Sequence, residues 1–241
     1  MMEQPLPSYN HTVTRIRLIG PAQVKENPFW DTTFQKLSAS GSEAITWGSN
    51  KEDPAHLIII TEWPSTMTIK EEIEHMALAL DPMDYLFASA PETHHCRLSC
   101  HKFRPMRHYL QELVLITGKS SLVTQEIISA ADLFVQRVMP QIGHDPPIEL
   151  GGYVRGITAL EPGCESNTAV IIWQWVDESK RSRLVDPDTD SYGGASQYQE
   201  IIEHDQRMLE AAGVSITKVL LKLQRWFPPR EPPKSRRCVI L

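Results

Sequence analysis

The chain has 241 residues, of which 41% are hydrophobic and 22% charged, and its formal net charge is −6. This composition is typical of a globular protein and excludes the disordered, collagen-like and disulfide-rich classes. The longest apolar runs, 57–60 and 169–173, are far shorter than the roughly 20 residues that a membrane-spanning helix needs. The N-terminal residues lack the layout of a signal peptide, and the four cysteines show no disulfide framework. We therefore expect a reducing, cytosolic environment.

The charge is unevenly distributed along the chain. Residues 228–237 (PPREPPKSRR) contain four basic residues and one acidic residue, which gives this segment a charge of +3 and leaves −9 on the rest. A nucleic-acid partner requires a basic surface, because it presents a row of phosphates. The acidic body therefore argues against nucleic acid as its partner, and the basic tail needs a separate explanation.

The first half of the chain predicts the order strand, helix, strand, strand, helix, strand. Apolar residues at helical spacing indicate the helices, and Asn27 is expected to cap the first of them. In the second helix, Ile69, Ile73, Met76 and Leu80 are expected on one buried face. The predicted elements are strand 11–19, helix 27–40, strands 44–48 and 56–63, helix 68–80 and strand 96–103.

The second half repeats this order. The segment HLIIITEWPS parallels TAVIIWQWVD, and EEIEHM parallels EIIEHD, with a polar insertion within 178–194 of the second copy. We therefore expect one repeat in residues 1–107, a second in 108–227, and a tail in 228–241. The predicted elements of the second copy are strand 110–117, helix 121–142, strands 149–156 and 168–176, helix 196–212 and strand 214–226.

In each half, a strand that ends in a tryptophan precedes a helix that bears a histidine: Trp63-Pro64-Ser65 with His75, and Trp175-Val176-Asp177 with His204. This pattern resembles the antibiotic-biosynthesis monooxygenase family of the dimeric α/β-barrel superfamily, over about residues 10–227. The resemblance implies an α+β fold of tandem ferredoxin-like units, whose antiparallel sheets pack as an intramolecular, pseudo-dimeric α/β barrel. It also implies that ligands bind between each sheet and its helices.

The physical pattern agrees with two packed sheets. Strands such as LIIITEW and AVIIWQW are apolar at successive positions, so both of their faces should be buried. A single four-stranded sheet with helices on one side would leave its other face exposed. Pairing two such sheets removes that exposed face.

Some members of the resembled family oxidise aromatic polyketides with oxygen and no cofactor. Others cyclise, decarboxylate or isomerise their substrates or degrade haem, and some have no known activity. We therefore expect a cofactor-independent, monooxygenase- or cyclase-like enzyme that acts on a small apolar aromatic or polyketide-type metabolite. Two alternatives stay open: a non-catalytic, lipid-anchored binding or assembly protein, and a haem-binding protein with His75 or His204 as the axial ligand. The expected state is a monomer with an internal pseudo-dimer, or a homodimer.

Two histidines and four aromatic residues form the predicted site. His75 and His204 are the predicted catalytic residues, because imidazole titrates near neutral pH and each lies in a Glu-rich helical turn. Large rigid rings would hold a flat substrate, although these rings could serve only as core packing and the histidines could be structural. The predicted substrate-binding residues are Trp47, Trp63, Tyr153 and Trp175.

A cluster of potential metal ligands lies at His94, His95, Cys96, Cys100 and His101. Strand alternation sends Cys96 and Cys100 to one face and His95 and His101 to the other, so four convergent ligands are hard to assemble. We therefore expect no metal site. No flavin or nicotinamide fingerprint is present in the sequence, so no cofactor is expected either.

The C-terminal residues Cys238-Val239-Ile240-Leu241 match the Cys-aliphatic-aliphatic-X prenylation motif, and leucine at the last position favours geranylgeranyl. Basic side chains just before the motif would add attraction to anionic lipid, and one lipid chain plus a basic patch gives stable anchoring. We therefore expect lipidation of Cys238 and a location on the cytosolic face of a membrane. The basic residues are Lys234, Arg236 and Arg237.

Overall fold

The computed structural model describes residues 9–98, 110–117, 156–159, 168–175, 207 and 215–228. These ranges contain nine strands, two α-helices and one 3-10 helix, which give an α+β fold. Each described α-helix has 12 residues, and neither is long and apolar enough to cross a lipid bilayer. The elements are β1 Tyr9–Arg17, α1 Pro28–Ala39, β2 Ala44–Ser49, β3 His56–Pro64, α2 Ile69–Leu80, the 3-10 helix Asp81–Leu86, β4 Glu92–Leu98, β5 Leu110–Thr117, β6 Gly156–Ala159, β7 Thr168–Trp175, β8 Ser215–Leu221 and β9 Gln224–Trp226.

The nine described strands form one sheet in the order β8-β5-β7-β6-β4-β1-β3-β2-β9, and every neighbouring pair is antiparallel. Two sets of four strands, β4-β1-β3-β2 and β8-β5-β7-β6, have the same internal order. Strands β8 and β9 lie at opposite ends of the sheet, yet only Lys222 and Leu223 separate them in sequence. Asn50 also bridges to Leu221 of β8, so the two ends of the sheet are joined.

The two tryptophans that match in sequence occupy corresponding places in the sheet. Trp63 of β3 is the register partner of Asn10, near the start of β1. Trp175 of β7 is the register partner of Leu110, at the start of β5. In each set of four strands, the tryptophan therefore lies at the end of the third strand, beside the beginning of the first.

Both faces of β3 are buried, as its continuous apolar sequence predicts. Leu57, Ile59 and Trp63 pack with α1 and α2 on one side, which we call the outer face. Ile58 and Ile60 lie on the opposite, inner face, in a core that also contains residues of β5, β7 and β8. Full burial of each such side chain stabilises the fold by roughly 1.5–3 kcal/mol, so the inner core connects the two sets of strands energetically.

Helix α1 begins and ends where local signals predict. The Asn27 side chain accepts a hydrogen bond from the backbone N–H of Phe29 at 3.0 Å, and Pro28 fills the first helical position. At the other end, Gly41 has a φ of 99°, which glycine adopts at little cost. The N–H groups of Gly41 and Ser42 then bond back to carbonyls of the last turn, which ends the helix.

Two predicted strands differ from the structure. β4 begins at Glu92 rather than at residue 96, because polar pairs extend it: Arg15 lies 3.2 Å from Glu92, and Thr14 and Thr93 share a hydrogen bond. The predicted strand 214–226 is divided into β8 and β9, because β8 pairs with β5 whereas β9 pairs with β2.

Gly48 of β2 leaves room for the two residues that connect β8 to β9. A Cβ atom on Gly48 would lie 2.9 Å from the carbonyl oxygen of Lys222, which is closer than real Cβ contacts. Only Gly at this position of β2 therefore admits the segment at its observed distance.

The predicted helix 121–142 and most of helix 196–212 and strand 149–156 lie outside the described residues.

Candidate functional site

The outer face of the sheet carries an unusual group of polar side chains near the start of β1. Strand alternation places Asn10 and Thr12 of β1 on this face, and their register partners Trp63 of β3 and His95 of β4 lie beside them. Helix α2 covers this part of the sheet. All four of these side chains are buried, so each polar group among them needs a partner inside the protein.

Trp63 connects the sheet to α2. Its ring is fully buried, and its indole N–H donates a hydrogen bond to Oγ1 of Thr12 at 3.0 Å. The ring stacks on the imidazole of His75, with 6.0 Å between the centroids and 27° between the planes. Two residues that the sequence motif singled out, Trp63 and His75, are therefore in contact.

Glu72 of α2 is the centre of a buried hydrogen-bonded group. Its Oε2 atom lies 2.7 Å from Nδ1 of His95, and its Oε1 atom accepts a hydrogen bond from Nδ2 of Asn10 at 2.7 Å. Asn10 also donates to the backbone carbonyl of Met67. Glu72 is 0% exposed and His95 is 3% exposed, so this pair is shielded from water and interacts strongly.

The arrangement suits one tautomer of His95. Asn10 donates to Oε1 of Glu72, and an ionised Glu72 would also accept a hydrogen bond from Nδ1 of His95 at Oε2. A neutral imidazole with a proton on Nδ1 keeps a lone pair on Nε2. This Nε2 is buried and has no hydrogen-bond partner among the described residues. The group is therefore built like a base that a carboxylate orients.

The local sequence of α2 explains why Glu72, rather than Glu71 or Glu74, faces the sheet. Thr68 caps the helix, and its side chain and backbone exchange hydrogen bonds with Glu71. Hydrogen bonds from the backbone and side chain of Thr68 hold the pKa of Glu71 below its ordinary value, and nearby His75 contributes to this lowering. Glu74 lies beside Lys70 on the surface. Of the three acids near His75, Glu72 is thus the one that faces the sheet.

The buried face of α2 differs from the predicted one. The sequence predicted Ile69, Ile73, Met76 and Leu80 on this face, but Ile73 is 39% exposed and Glu72 is buried in its place. The reason is that Glu72 lies one turn before Met76 and has polar partners on the sheet. A single charged residue on an otherwise apolar helical stripe is the sequence signal that could have identified it.

An open groove of about 360 Å³ lies next to this group, between α2, the 3-10 helix and β4. Ile73, which follows Glu72, lines it, and so does Thr93, which lies two residues before His95 on the same face of β4. The rest of its lining is mainly apolar, with two carboxylates. These residues are Ala77, Leu80, Phe87, Pro91, Asp81 and Asp84.

The inner face carries a second polar row. His11 of β1 is the register partner of both Cys96 of β4 and Glu62 of β3, and all three are buried. Burial lowers the pKa of His11 to about 4, nearby His95 contributes, and a hydrogen bond with the Tyr9 backbone opposes this lowering. His11 is therefore uncharged at neutral pH. Burial also lowers the pKa of His94. The nearby Glu92 opposes this lowering, and Arg15 contributes to it.

The alternation expected for β4 is confirmed. His95 reaches α2 on the outer face, whereas Cys96 belongs to the inner core. Among the residues that the structure describes, no group of three or more His, Cys, Asp or Glu side chains is arranged to hold a metal ion.

The other predicted site residues lie in different surroundings. Trp47 is buried in the outer core, and neither it nor Trp63 lines the groove. The backbone of Trp175 lies at the end of β7. Several of the residues considered from the sequence lie outside the described residues, namely Cys100 and His101 of the potential ligand cluster, Tyr153, His204, the lipidation site Cys238, and the basic residues Lys234, Arg236 and Arg237.

Comparison with known proteins identifies the fold but no family. No family model matches the chain, and no curated protein matches it. One similar solved structure is a protein from Fusobacterium nucleatum subsp. nucleatum, provisionally named a monooxygenase: the TM-score is 0.55 at 6% identity, over 91% of this chain and 94% of the other. Another is an anthrone oxidase-like protein, with a TM-score of 0.58 at 11% identity, over 90% and 93% of the two chains. The chain has the fold of these proteins, and the expected α+β class with antiparallel strands is confirmed.

Proposed function

We propose that the chain is a cofactor-independent, monooxygenase-like enzyme that acts on a small apolar aromatic metabolite, with His95 as the proton acceptor. The observation that carries this proposal is the buried Glu72–His95 contact, at 2.7 Å, beside an open and mainly apolar groove. Burying ionisable groups costs several kcal/mol per charge. Proteins therefore bury ionisable groups most often at catalytic or binding sites. The fold shared with an anthrone oxidase-like protein supports the same class of substrate.

The chemistry needs a base and molecular oxygen. Anthrone is a suitable probe, because its C10–H bonds lie between two benzene rings and loss of a proton from C10 gives an aromatic enolate. Nε2 of His95 would take this proton, and the imidazolium would be stabilised by Glu72. Oxygen would then accept the electrons of the enolate: one oxygen atom becomes the new carbonyl of anthraquinone, and the other leaves as water. Protein groups would thus bind the ring and move the proton.

The residues predicted from the sequence have supporting roles in this proposal. His75, stacked on Trp63, is a second candidate base and lies on the same helix as Glu72. Trp63 holds α2 against β1 through its contacts with His75 and Thr12. His204, Trp175 and Tyr153 would form the equivalent site of the second half, whereas Trp47 would support the first site from the packed core.

The test is turnover of anthrone, followed by oxygen uptake and by quinone absorbance. We expect His95→Gln to lower kcat by at least 100-fold and Glu72→Gln by 10- to 100-fold, since orienting groups have effects of this size. His56→Gln, at a surface histidine that pairs with Asp53, is the matched control and should keep wild-type kcat. Loss of kcat in His75→Gln with full activity in His95→Gln would assign the base to His75 and refute the role of His95.

A non-catalytic binding or assembly protein is the second candidate. The observation that favours it is the complete burial of Trp63 and the near-complete burial of Trp47 in a packed core, which suits a structural role. This candidate predicts that a ligand binds with equal affinity to wild type and His95→Gln and that neither consumes oxygen. Equilibrium binding of anthrone, measured beside oxygen uptake, separates the two functions.

We also propose that residues 1–107 and 108–227 are two ferredoxin-like repeats that form a pseudo-dimeric barrel within one chain. Three findings support this: the identical order of the two sets of strands, the junction between β8 and β9, and an inner core drawn from both sets. The measurement is the molar mass in solution. A monomer with cooperative unfolding of both halves is expected, and obligate dimerisation would argue for a barrel between chains.

The tail completes the proposal. Prenylation at Cys238, aided by Lys234, Arg236 and Arg237, would tether the enzyme to the cytosolic face of a membrane, where an apolar substrate concentrates. In a eukaryotic expression host, we expect Cys238→Ser to move the protein from the membrane fraction to the supernatant. An unchanged distribution would refute the anchor without affecting the proposed chemistry.

A further inference from the structure

The groove beside the Glu72–His95 pair offers a bound molecule a small set of polar groups. Its described lining is apolar except for Asp81, Asp84 and Thr93. An ionised carboxylate only accepts hydrogen bonds, whereas a hydroxyl can also donate one. Among the described residues that line the groove, Thr93 is therefore the only one whose side chain can donate a hydrogen bond to a neutral ligand.

A buried partner determines where the hydroxyl of Thr93 can donate. Its oxygen lies 3.1 Å from the hydroxyl oxygen of Thr14 on β1. Thr14 is 0% exposed, and within the described part of the chain its hydroxyl has no other partner. A buried hydroxyl proton needs an acceptor, so Thr14 donates and Thr93 accepts. The proton of Thr93, which is half-buried and lines the groove, is then available to a ligand.

Thr93 also has a fixed position relative to His95. The two residues lie on the same face of β4, two positions apart, so their Cα atoms are about 7 Å from each other. Their register partners on β1 are Thr14 and Thr12, and this pairing holds both residues in the sheet. A ligand whose oxygen is bound at Thr93 can therefore extend along β4 towards His95.

The charge of the groove decides which kind of oxygen it accepts. Asp81 and Asp84 are exposed, and neither takes part in an ion pair with another described residue. Their carboxylates repel an anionic ligand. A neutral carbonyl oxygen accepts a hydrogen bond from Thr93 without this repulsion. The groove therefore suits a neutral ketone better than a carboxylate or a phosphate.

We propose that Thr93 is a specificity-determining residue, whose hydroxyl donates a hydrogen bond to the carbonyl oxygen of a neutral aromatic ketone in the groove. This selection is independent of turnover, but its consequence rests on the proposed function. When Nε2 of His95 takes the C10 proton of anthrone, the electron pair of that C–H bond is delocalised to the carbonyl, whose oxygen becomes the enolate oxygen. The hydrogen bond from Thr93 stabilises this negative oxygen more than the neutral one.

The test is the binding of two ligands with the same ring system, anthrone and 9,10-dihydroanthracene, in which a CH2 group replaces the carbonyl. Equilibrium dialysis of the full chain under argon measures both dissociation constants without oxidation of anthrone. We expect wild type to bind anthrone more tightly. Thr93→Val should lower the ratio of the two affinities about fivefold, the effect of one hydrogen bond, whereas Thr93→Ser should keep it within twofold of wild type.

Thr14→Val is the matched control. It breaks the same hydrogen bond between the two threonines but leaves the hydroxyl of Thr93 in the groove. Its affinity ratio should therefore stay within twofold of wild type. An equal loss in Thr14→Val and Thr93→Val would show that the effect comes from the structure of the strand pair, and it would overturn the proposal.

A second set of variants tests the preference for a neutral ligand. Asp81→Asn with Asp84→Asn should tighten the binding of anthracene-9-carboxylate at least threefold and leave the affinity for anthrone unchanged. Unchanged binding of the carboxylate would overturn this preference, and an affinity ratio that does not respond to Thr93→Val would overturn the role of Thr93. A ratio that does respond, without oxygen uptake by wild type, would support Thr93 and refute the proposed enzyme. Oxygen uptake with an unresponsive ratio would do the reverse.

Discussion

Glu72 places a carboxylate on a helix face where the other buried residues, Met76, Ala79 and Leu80, are apolar. Its two oxygens have partners from two different strands, His95 of β4 and Asn10 of β1. A buried pair of this kind contributes little net stability, because desolvation offsets the attraction, but removal of one partner leaves the other unpaired. Stability measurements can therefore distinguish a pair kept for packing from one kept for chemistry.

We expect Glu72→Ala to lower the free energy of unfolding by about 3 kcal/mol, because His95 and Asn10 lose their acceptor. The double variant Glu72→Leu with His95→Leu should lower it by less than either Glu72→Leu or His95→Leu alone, since no polar group of the pair is left buried alone. Urea unfolding of the double variant and of the single variants measures these differences. A double variant that loses the sum of the single effects would show that Glu72 and His95 contribute independently, and it would contradict a coupled pair.

His11 makes the stability of the protein depend on pH. Its pKa is lowered to about 4, chiefly by burial, so the unfolded chain takes up a proton near pH 6.5 and the folded chain does not. The unfolded state then binds more protons between these values, and stability falls as pH falls from about 6.5 to 4. The loss from His11 is on the order of 3 kcal/mol.

The variant His11→Gln isolates this contribution. Its free energy of unfolding should vary less between pH 7.5 and pH 4 than that of wild type, while His94 contributes to both proteins alike. Urea unfolding at four pH values across this range provides the comparison. Parallel curves for the two proteins would contradict the assignment to His11.

At the level of elements, the sequence predicts what local signals control. Asn27, Pro28 and the apolar spacing locate α1 to within one residue at each end, and the apolar run of β3 predicts its burial on both faces. The start of β4 depends instead on polar contacts with another strand, and the division of β8 from β9 depends on which strand lies beside each. Such contacts link residues distant in sequence, so no local pattern contains them.

The same reasoning explains the partial prediction of the site. The sequence motif predicts roles for Trp63 and His75, and the structure brings them into contact. For His95 the sequence indicates only a potential metal ligand, because nothing near it in sequence indicates a partner 23 residues away on α2. Glu72 carried a detectable signal, its place on the buried stripe, but its partners are known only once the strand register is known.

The capping box of α2 lies directly before Glu72. We expect Thr68→Ala to lower the free energy of unfolding by about 1 kcal/mol, because two hydrogen bonds of the first turn are lost. Thr66→Ala, at an exposed position two residues earlier, is the control and should change stability little. Thermal unfolding measures both. Equal melting temperatures for the two variants would show that the cap does not stabilise α2.

For the whole molecule, the junction between β8, β9 and β2 joins the two ends of the sheet. Gly48→Ala would place a Cβ 2.9 Å from the carbonyl oxygen of Lys222, so the segment must move away from β2. We expect a loss of about 1–3 kcal/mol, as for other overpacked sites. Gly20→Ala is the matched control, since nothing lies within 4 Å of its added Cβ. Equal stability of the two variants, in urea unfolding, would argue that the junction is not tightly packed.

In the proposed enzyme, Glu72 holds the proton on Nδ1 of His95 and leaves Nε2 as a base for a bound aromatic substrate. Nitrogen-15 NMR of the histidine side chains, in the full chain with and without anthrone under argon, tests this arrangement, with His95→Gln assigning the signals. We expect a proton on Nδ1, an unprotonated Nε2, and a change in the Nε2 signal when anthrone binds. A proton on Nε2, or an Nε2 signal that saturating anthrone leaves unchanged, would contradict it.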